Sequence, residues 1–563
     1  MARRTVVMVI LDGWGLGRKD ASNPIYVANL QTVDWIKHNF PSGTLQASGI
    51  AVGLPWGEEG NSEVGHLTLG AGKVIYQHFP RISLAIRNGS FAKNEVLHAA
   101  IKHAKEKNSR LHLIGLLTEN NVHASFEHLQ ALVRLARQEA VPADHLNLHL
   151  FTDGVDGSPK CNASMLKKLI SENPGLRPAD SASVATPAKE AAGYGTAKAG
   201  LRPADSASVA TPAKEAAGYG TAKAGLRIAS IGGRFWGMDR DLHWDRTQKA
   251  YDTITGAVNA PRLPGKNPVE YIQEFYAKDL TDTFVEPALF IEDGKVTADD
   301  SIIFFNFRED SIRQIVETFI KAKISGLLMT TLTQYSEKFN LPVVFQPEKV
   351  TDPLGKVLSD NGRVQLRLAE SDKYAHVTYF FNGYREPPFK NEYRVLIPSR
   401  SVARADDFPE MMAREITARA VSGISENAYD FILINYANPD IIAHTGNFDA
   451  TVKAVKTVDA QLSELIKAIY AVNGILIATS DHGNAERLLD PRTGAAETKH
   501  DTSPVPVYLI AREWERPRDE FDIATSERES IGVLSDVAPT ILEIMGIQKP
   551  AEMTGVSFLK LLN

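Results

Sequence analysis

Short uninterrupted apolar runs recur along the chain and alternate with stretches in which apolar residues return every three or four positions. The runs are residues 6–11, 111–117, 146–151, 302–305, 431–434, 475–478 and 505–510. Runs this short suit strands that are covered on both faces of a parallel sheet. Periodic stretches such as 94–107 and 129–139 predict amphipathic helices between them. The alternation predicts an α/β fold.

A chain of 563 residues is too long for a single hydrophobic core, so two or more domains are expected. Its hydrophobic content of 43% is ordinary for a globular protein. Candidate metal ligands lie near both ends of the chain, whereas the middle carries clustered arginines. We therefore expect a discontinuous metal-binding domain, residues 1–77 and 360–563. A substrate-binding domain, residues 78–359, would be inserted into it.

The expected insertion contains a perfect tandem repeat, because residues 176–200 recur identically as 201–225. Both copies are rich in Ala, Gly, Ser and Thr and have too few apolar residues for a shared core, so we expect disorder or weak helix there. Deleting both copies restores a helix, a turn and a strand across the junction. Identity at every position indicates a recent duplication or a sequence artefact rather than a functional module.

Charge and cysteine content exclude several classes of protein. A net charge of −6 argues against a nucleic-acid binder that relies on bulk electrostatics. The apolar run before Asp12 is short for a signal peptide and lacks a cleavage site, so we interpret it as the first strand and expect no membrane partner. The single cysteine, Cys161, excludes an intrachain disulfide and fits a reducing cytoplasm.

Potential metal ligands follow two late apolar runs. They are Asp440, His444, Asp481, His482 and His500. Asp440 and His444 are four residues apart, so one helical turn would place both on the same face, although a helix cap and a surface histidine would give the same spacing. Ligands in open α/β sheets collect beyond the carboxyl ends of such strands. This set of oxygens and imidazoles suits Mn²⁺, Zn²⁺, Co²⁺ or Mg²⁺ and predicts a site for two divalent ions.

Asp12 and Ser62 add an acid and a nucleophile from the other end of the chain. An Asp-Gly pair after a strand is more often a turn, and a serine followed by glutamate more often caps a helix. The glycines around Ser62 are spaced wrongly for the nucleophile elbow of α/β-hydrolases. A metal-bound serine at a helix N-terminus, by contrast, can attack phosphorus.

The motifs together resemble the cofactor-independent phosphoglycerate mutases of the alkaline-phosphatase superfamily, over essentially the whole chain apart from the repeat. They are Asp-Gly-Trp-Gly at 12–15, Gly-Asn-Ser-Glu-Val-Gly-His at 60–66, Met-Asp-Arg at 238–240, Phe-Asn-Phe-Arg at 305–308, Glu-Ser-Asp-Lys-Tyr-Ala-His-Val-Thr at 370–378, Asn-Tyr-Ala-Asn-Pro-Asp at 435–440 with His444, Asp-His-Gly-Asn at 481–484, and His500. The resemblance implies an alkaline-phosphatase-like three-layer α/β sandwich with a second, inserted α/β domain.

The resemblance also implies an activity and its residues. Asp440, His444 and His500 would hold one metal, and Asp12, Ser62, Asp481 and His482 the other, with Mn²⁺ the first expectation. Ser62 would carry phosphate as phosphoserine while 3-phosphoglycerate and 2-phosphoglycerate are interconverted in glycolysis and gluconeogenesis. The phosphoglycerate would be bound by His123, Asp156, Arg234, Arg240, Arg308 and Lys373. A cytoplasmic monomer with a small-molecule substrate and no nucleic-acid partner is expected.

Two departures from the family pattern affect substrate binding. Val155 and Ser311 stand where the family has arginines, and Arg313 is a poor replacement because positions two apart do not share a helix face. Losing a hydrogen bond to a charged group costs roughly 1.5 to 3 kcal/mol. A weakened or inactive mutase, a metal-dependent phosphohydrolase or other phosphomutase of the superfamily, and a non-catalytic metal-binding protein therefore remain alternatives.

Overall fold

A computed structural model describes residues 4–173 and 226–562. Its strands are β1 (Val6–Leu11), β2 (Ser42–Gln46), β3 (Leu111–Leu117), β4 (Leu146–Thr152), β5 (Arg227–Gly233), β6 (Ala288–Leu289), β7 (Ser301–Phe304), β8 (Leu328–Thr333), β9 (Val343–Phe345), β10 (Gln365–Glu370), β11 (Glu392–Ile397), β12 (Phe431–Tyr436), β13 (Ile475–Thr479), β14 (Val505–Ile510) and β15 (Ser530–Val533).

The α-helices of the same residues complete the α/β pattern. They are α1 (Pro24–Val27), α2 (Gln31–Asn39), α3 (Ser62–Ala71), α4 (His78–Arg87), α5 (Glu95–Glu106), α6 (Phe126–Gln138), α7 (Asn162–Glu172), α8 (Arg234–Gly237), α9 (Trp244–Thr255), α10 (Pro268–Ala277), α11 (Arg313–Ala322), α12 (Leu354–Asp360), α13 (Ala413–Ser425), α14 (Asn438–Ala443), α15 (Phe448–Ala471), α16 (Glu520–Arg528), α17 (Val537–Ile544) and α18 (Leu559–Leu562). No helix within the described residues is both long and apolar enough to cross a membrane.

The chain divides into two compact units. Unit 1 comprises the residues up to Arg81 and those from Pro347 onward, and unit 2 runs from Ile82 to Gln346. The predicted boundary at 359/360 is therefore too late, because α12 belongs to unit 1, where Leu354 and Leu358 are buried in the core. The predicted boundary at 77/78 is four residues too early.

Unit 1 contains an eight-stranded sheet in the order β11-β10-β12-β1-β13-β14-β2-β15. The five strands from β11 to β13 are parallel, and β14 is antiparallel to both of its neighbours. Strand β1 lies between β12 and β13, with Ile10 opposite Asn435 on one side and Thr479 on the other. The carboxyl ends of these three strands therefore meet at one edge, as predicted for a ligand site.

Both faces of the unit 1 sheet are covered. Val6, Met8 and Ile10 of β1 enter one apolar core, while its alternate residues Val7, Val9 and Leu11 enter another. Because successive side chains of a strand point to opposite faces, an all-apolar run is what a doubly covered strand requires. Unit 1 is thus a three-layer sandwich.

Unit 2 contains a seven-stranded sheet in the order β6-β5-β4-β3-β7-β8-β9, in which only the two-residue β6 is antiparallel to its neighbour. The predicted α/β class, with a second α/β unit, is confirmed. Helix α7 ends at Glu172 and β5 begins at Arg227, so a helix and a strand flank the repeat as predicted. The disorder predicted for residues 176–225 concerns residues outside those that the structure describes.

Candidate metal centre and active site

Ser62 is the first residue of α3, and its hydroxyl group takes no part in capping that helix. The cap is Asn61, whose side chain accepts a hydrogen bond from the backbone N–H of Val64. The buried Ser62 Oγ instead lies 3.2 Å from Asp12 Oδ1 and 2.9 Å from His482 Nε2. The structure thus brings a hydroxyl group from α3 to groups that follow β1 and β13, and the helix-cap explanation of this serine is wrong.

Asp440, His444 and His500 form the first group of candidate ligands. Helix α14 places Asp440 one turn before His444, and Asp440 Oδ1 lies 3.2 Å from His444 Nε2. His500 Nε2 lies 3.3 Å from the same oxygen and 3.0 Å from His444 Nε2. Three potential ligand atoms therefore lie within 3.3 Å of one another.

Asp12, Ser62, Asp481 and His482 form the second group of candidate ligands. His482 Nε2 lies 3.6 Å from Asp12 Oδ1 and 3.6 Å from Asp481 Oδ2. Both aspartates and His482 are fully buried. They follow β1 and β13, whose parallel pairing brings segments that are more than 450 residues apart in sequence to one edge.

The orientation of the imidazoles indicates which nitrogen atoms are free to bind a metal. Nδ1 of His444 lies 2.8 Å from the carbonyl oxygen of Thr498, and Nδ1 of His500 lies 2.8 Å from that of Gly60. Nδ1 of His482 lies 3.3 Å from its neighbouring carbonyl oxygen. Because a carbonyl only accepts, each Nδ1 carries a proton, and each Nε2 is the nitrogen directed at the group, an arrangement found in histidines that ligate metals.

The distances within each group also fit a bound divalent ion. Metal–ligand distances of about 2.1 Å in tetrahedral geometry place ligand atoms roughly 3.4 Å apart. The seven ligand pairs whose distances are given above are separated by 2.9 to 3.6 Å. These pairs of predicted ligands are therefore close enough to share a divalent ion, and atoms of Asp440, His482 and His500 lie within 4.8 Å of one another, as do atoms of Asp12, His66 and Asp481.

Lys373 is the cation that lies between the two groups. Its Nζ donates hydrogen bonds to Asp12 Oδ1 (2.6 Å), Ser62 Oγ (2.6 Å) and Asp440 Oδ2 (2.7 Å). Burial would lower the pKa of this ammonium group, but Asp12 and Asp440 raise it far above its ordinary value. The structure thus places this predicted substrate-binding residue beside the candidate nucleophile, within unit 1.

The carboxylates outnumber the cations at this site. Burial and the neighbouring Asp481 raise the pKa of Asp12 despite Lys373. Burial opposes ionisation of Asp440 too, but Lys373 and the imidazoles hold its pKa well below the ordinary range. Three buried carboxylates therefore share one ammonium group, an arrangement that bound divalent cations would stabilise.

His66 is a buried residue of this site that was not among the predicted ligands. His66 lies four residues after Ser62 on α3, and its Nδ1 is 3.1 Å from Asp481 Oδ2 and 2.8 Å from the Ser62 carbonyl oxygen. The side-chain amide of Asn435 lies 3.0 Å from His66 Nε2 and donates to Asp12 Oδ2. The spacing between Ser62 and His66 was the available signal, since residues four apart share a helix face.

In unit 2 the structure brings together five of the predicted substrate residues. Arg234 Nη1 donates to Asp156 Oδ2 at 2.5 Å, and His123 Nε2 lies 3.7 Å from the same oxygen. Arg240 Nη1 and Arg308 Nη2 each lie 3.1 Å from one oxygen of Asp310. These residues follow four strands of the unit 2 sheet, β3, β4, β5 and β7, and form a single charged cluster.

Two carboxylates of this cluster were not predicted. Asp310 Oδ1 lies 3.4 Å from His123 Nδ1, and the buried Asp153 accepts a hydrogen bond from Arg234 at 2.7 Å. Burial and the Arg234 guanidinium lower the pKa of His123. Three arginines therefore face three aspartates, and the cluster is close to neutral.

The two departures from the family pattern lie in different surroundings. The side chain of Val155 is 62% exposed, whereas Ser311 is 2% exposed and donates its hydroxyl proton to Asp310. Arg313 donates instead to the carbonyl oxygen of Tyr335. Arg313 is thus engaged away from the cluster, as its position in the sequence predicted.

Comparisons with known proteins give matches over nearly the whole chain. A family model described as the Metalloenzyme superfamily matches residues 4–549. A 2,3-bisphosphoglycerate-independent phosphoglycerate mutase from Synechococcus sp. (strain JA-3-3Ab) is 40% identical over 563 residues, covering 99% of this chain and 96% of the relative. A protein of the same name from Thermomicrobium roseum is 39% identical, covering 98% of each chain.

A solved structure shares the fold. Phosphoglycerate mutase from Leishmania mexicana, solved at low cobalt concentration, matches with a TM-score of 0.50 at 24% identity, covering 99% of this chain and 98% of that one. The family match and the two relatives cover nearly the whole sequence. The chain belongs to the 2,3-bisphosphoglycerate-independent phosphoglycerate mutases, a family of isomerases within the Metalloenzyme superfamily.

Proposed function

We propose that this metalloenzyme interconverts 3-phosphoglycerate and 2-phosphoglycerate through a phosphoserine on Ser62. The observation that carries the proposal is the position of Ser62 Oγ, within 3.2 Å of Asp12 and 2.9 Å of His482 and in contact with Lys373. A serine so placed is surrounded by the groups that phosphoryl transfer requires, namely candidate metal ligands and a cation.

Two divalent ions, held by the two ligand groups, would supply charge stabilisation and acidify the serine hydroxyl when bound. In the first transfer Ser62 Oγ forms a bond to phosphorus while the bond from phosphorus to O3 of the substrate breaks. In the second transfer the 2-hydroxyl group of glycerate attacks phosphorus and Ser62 Oγ leaves. Lys373, which already contacts Ser62 Oγ, would offset negative charge on the phosphoryl oxygens in both transfers.

The unit 2 cluster would hold the glycerate between the two transfers. Guanidinium groups such as those of Arg234, Arg240 and Arg308 grip carboxylates in a bidentate manner. His123 is suited to exchange a proton with a glycerate hydroxyl, since burial and Arg234 lower its pKa and favour the neutral imidazole. Asp156, 3.7 Å away, would orient that imidazole.

A coupled assay tests the proposal directly. Purified chain with Mn²⁺ should form 2-phosphoglycerate from 3-phosphoglycerate, and Ser62→Ala should abolish the reaction while the exposed-serine control Ser90→Ala retains it. Rapid quenching with radiolabelled substrate should trap acid-stable phosphate on Ser62. A parent enzyme that shows neither mutase activity nor label on Ser62 would refute the proposal.

A metal-dependent phosphohydrolase is the second candidate, and one observation favours it. The three arginines of the unit 2 cluster already pair with Asp153, Asp156 and Asp310, while Val155 and Ser311 stand where the family pattern has two further arginines. If glycerate leaves before the second transfer, water attacks the phosphoserine. Release of inorganic phosphate without 2-phosphoglycerate would identify this activity. The preference for Mn²⁺, the monomeric state and the cytoplasmic location stay predictions.

A further inference from the structure

Two loops that carry candidate ligands are joined by backbone hydrogen bonds. The first metal loop is residues 12–17, after β1, and the second metal loop is residues 480–486, after β13. Trp14 N–H donates to Ser480 Oγ at 2.9 Å, and Ala485 N–H donates to the carbonyl oxygen of Gly13 at 2.9 Å. The position of each ligand therefore depends on how the two loops are held together.

Glu486 provides the central link between these loops. Its side chain is 1% exposed. A single carboxylate oxygen, Oε2, accepts the backbone N–H of Gly15 at 3.0 Å and that of Asn484 at 2.8 Å. One oxygen atom thus satisfies a buried donor from each metal loop, and an unsatisfied buried donor costs about 1 to 3 kcal/mol.

Glycines lie around Glu486 at positions where a larger residue would collide with it. A Cβ atom on Gly15 would lie 2.2 Å from Glu486 Cδ, and one on Gly483 would lie 2.3 Å from Glu486 Oε1. A Cβ atom on Gly17 would lie 2.7 Å from the Glu486 carbonyl oxygen. Glycines of both loops therefore allow the backbone to close on one acidic side chain, although none of these three requires a positive φ.

The link extends to the first ligand group through Asn484. The Asn484 side-chain amide donates to Asp440 Oδ1 at 2.8 Å. Since Glu486 Oε2 accepts the backbone N–H of Asn484, it fixes the residue that orients Asp440. Removing a group that orients a metal ligand in this way typically lowers metal affinity 10- to 100-fold.

We propose that Glu486 is a positioning residue that sets the geometry of both metal sites by holding the two metal loops on one acceptor oxygen. The inference rests on the proposed function, because it concerns the metals that this function uses. The acceptor oxygen of Glu486 would produce this effect, and not its negative charge, because one neutral oxygen atom can accept the same two hydrogen bonds.

Three variants separate the acceptor from other effects. Glu486→Gln keeps an oxygen at nearly the same place, and Glu486→Met keeps the length but removes the acceptor. Gly15→Ala displaces the carboxylate sterically and leaves its chemistry intact, so it tests the same link if Glu486→Met fails to fold. Glu464→Gln, which removes a charge from an exposed side chain on α15, is the matched control.

Titration of each folded protein with Mn²⁺, followed by electron paramagnetic resonance of the free ion, measures affinity and stoichiometry. We expect Glu486→Met and Gly15→Ala to bind Mn²⁺ about 10- to 100-fold more weakly, and Glu486→Gln and Glu464→Gln to stay within about threefold of the parent. The kcat of Glu486→Met at subsaturating Mn²⁺ should fall with little change in KM for 3-phosphoglycerate.

The outcomes are distinguishable. Parental Mn²⁺ affinity in folded Glu486→Met and in Gly15→Ala would overturn the inference, as would a loss in Glu486→Gln equal to that in Glu486→Met. A role in folding alone would reduce the yield or thermal stability and leave the affinity of the folded molecules unchanged. A parent protein that binds Mn²⁺ but lacks mutase activity would refute the proposed function and leave the inference about Glu486 intact.

Discussion

Restoring an arginine should affect the stability of the protein differently at the two positions where the family pattern is broken. At position 155 the side chain is 62% exposed, so Val155→Arg should change the free energy of unfolding by less than about 0.5 kcal/mol. At position 311 the side chain is 2% exposed, and an arginine has no room there. Ser311→Arg should therefore destabilise the protein.

The loss of folding free energy expected for Ser311→Arg has two contributions. Overpacking a buried site costs roughly 1 to 3 kcal/mol. Losing the hydrogen bond from Ser311 Oγ to the Asp310 carboxylate costs roughly 1.5 to 3 kcal/mol more. A total of about 3 kcal/mol or more corresponds to a fall in Tm of ~6 °C or more for a unit of this size.

Thermal unfolding followed by circular dichroism measures this difference, with Ser311→Ala as the control that removes only the hydroxyl group.

The coupled assay tests the effect of Val155→Arg on substrate binding. Val155→Arg adds a cation near Asp156 and should lower KM for 3-phosphoglycerate about 3- to 10-fold, less at high salt, because the position is exposed. Val155→Leu should leave KM unchanged.

A Ser311→Arg variant that melts with the parent would show that our account of the packing at this position is wrong. A Val155→Arg variant that is active but has the parental KM would show that the loop after β4 does not contact substrate. The two results are independent, because one measures the free energy of unfolding and the other measures binding.

Further predictions concern the candidate site and the buried His128. Ser62→Ala should lower kcat by a factor on the order of 10⁴ or more, as loss of a nucleophile does; activity within tenfold of the parent in the coupled assay would exclude the phosphoserine. Chelation should abolish activity, and Mn²⁺ at 100 times its Kd should stabilise the parent by about 2.7 kcal/mol per site in thermal unfolding. Asp440→Asn should lose one such increment, and an unchanged response would remove Asp440 from the ligands. Burial lowers the pKa of His128 to about 3, so its imidazole is neutral when folded and binds a proton when unfolded below its ordinary pKa of 6.5. Its contribution to stability is complete above pH 6.5 and is lost as the pH falls, by roughly 2 kcal/mol at pH 5; denaturant titrations of His128→Gln should show a shallower dependence on pH, and an equal slope would contradict this.

The sequence predicted which residues meet at the candidate metal centre, because strand register and helical spacing determine where these residues lie. Asp440 and His444 are one turn apart on α14, and Asp481 follows a buried strand that pairs with β1. Polar residues that follow a buried parallel strand lie at the edge of the sheet where ligands bind.

Residues that act through other residues could not be predicted in the same way. Glu486 accepts hydrogen bonds from backbone N–H groups, which no side-chain pattern reveals, and its partner Gly15 is distant in sequence. Asp310 contacts Arg240 and His123, again across large sequence separations. The boundary of the inserted unit was misplaced for a related reason, since only packing assigns α12 to the unit 1 core.

The strand order of the unit 1 sheet has a consequence for how the chain folds during synthesis. Strand β1 has β12 and β13 as its two neighbours, so it acquires these partners only after more than 400 further residues have been made. The strands of the unit 2 sheet all lie between residues 111 and 345. Unit 2 can therefore complete its core while β1 remains unpaired, and folding of unit 1 should be the slow step.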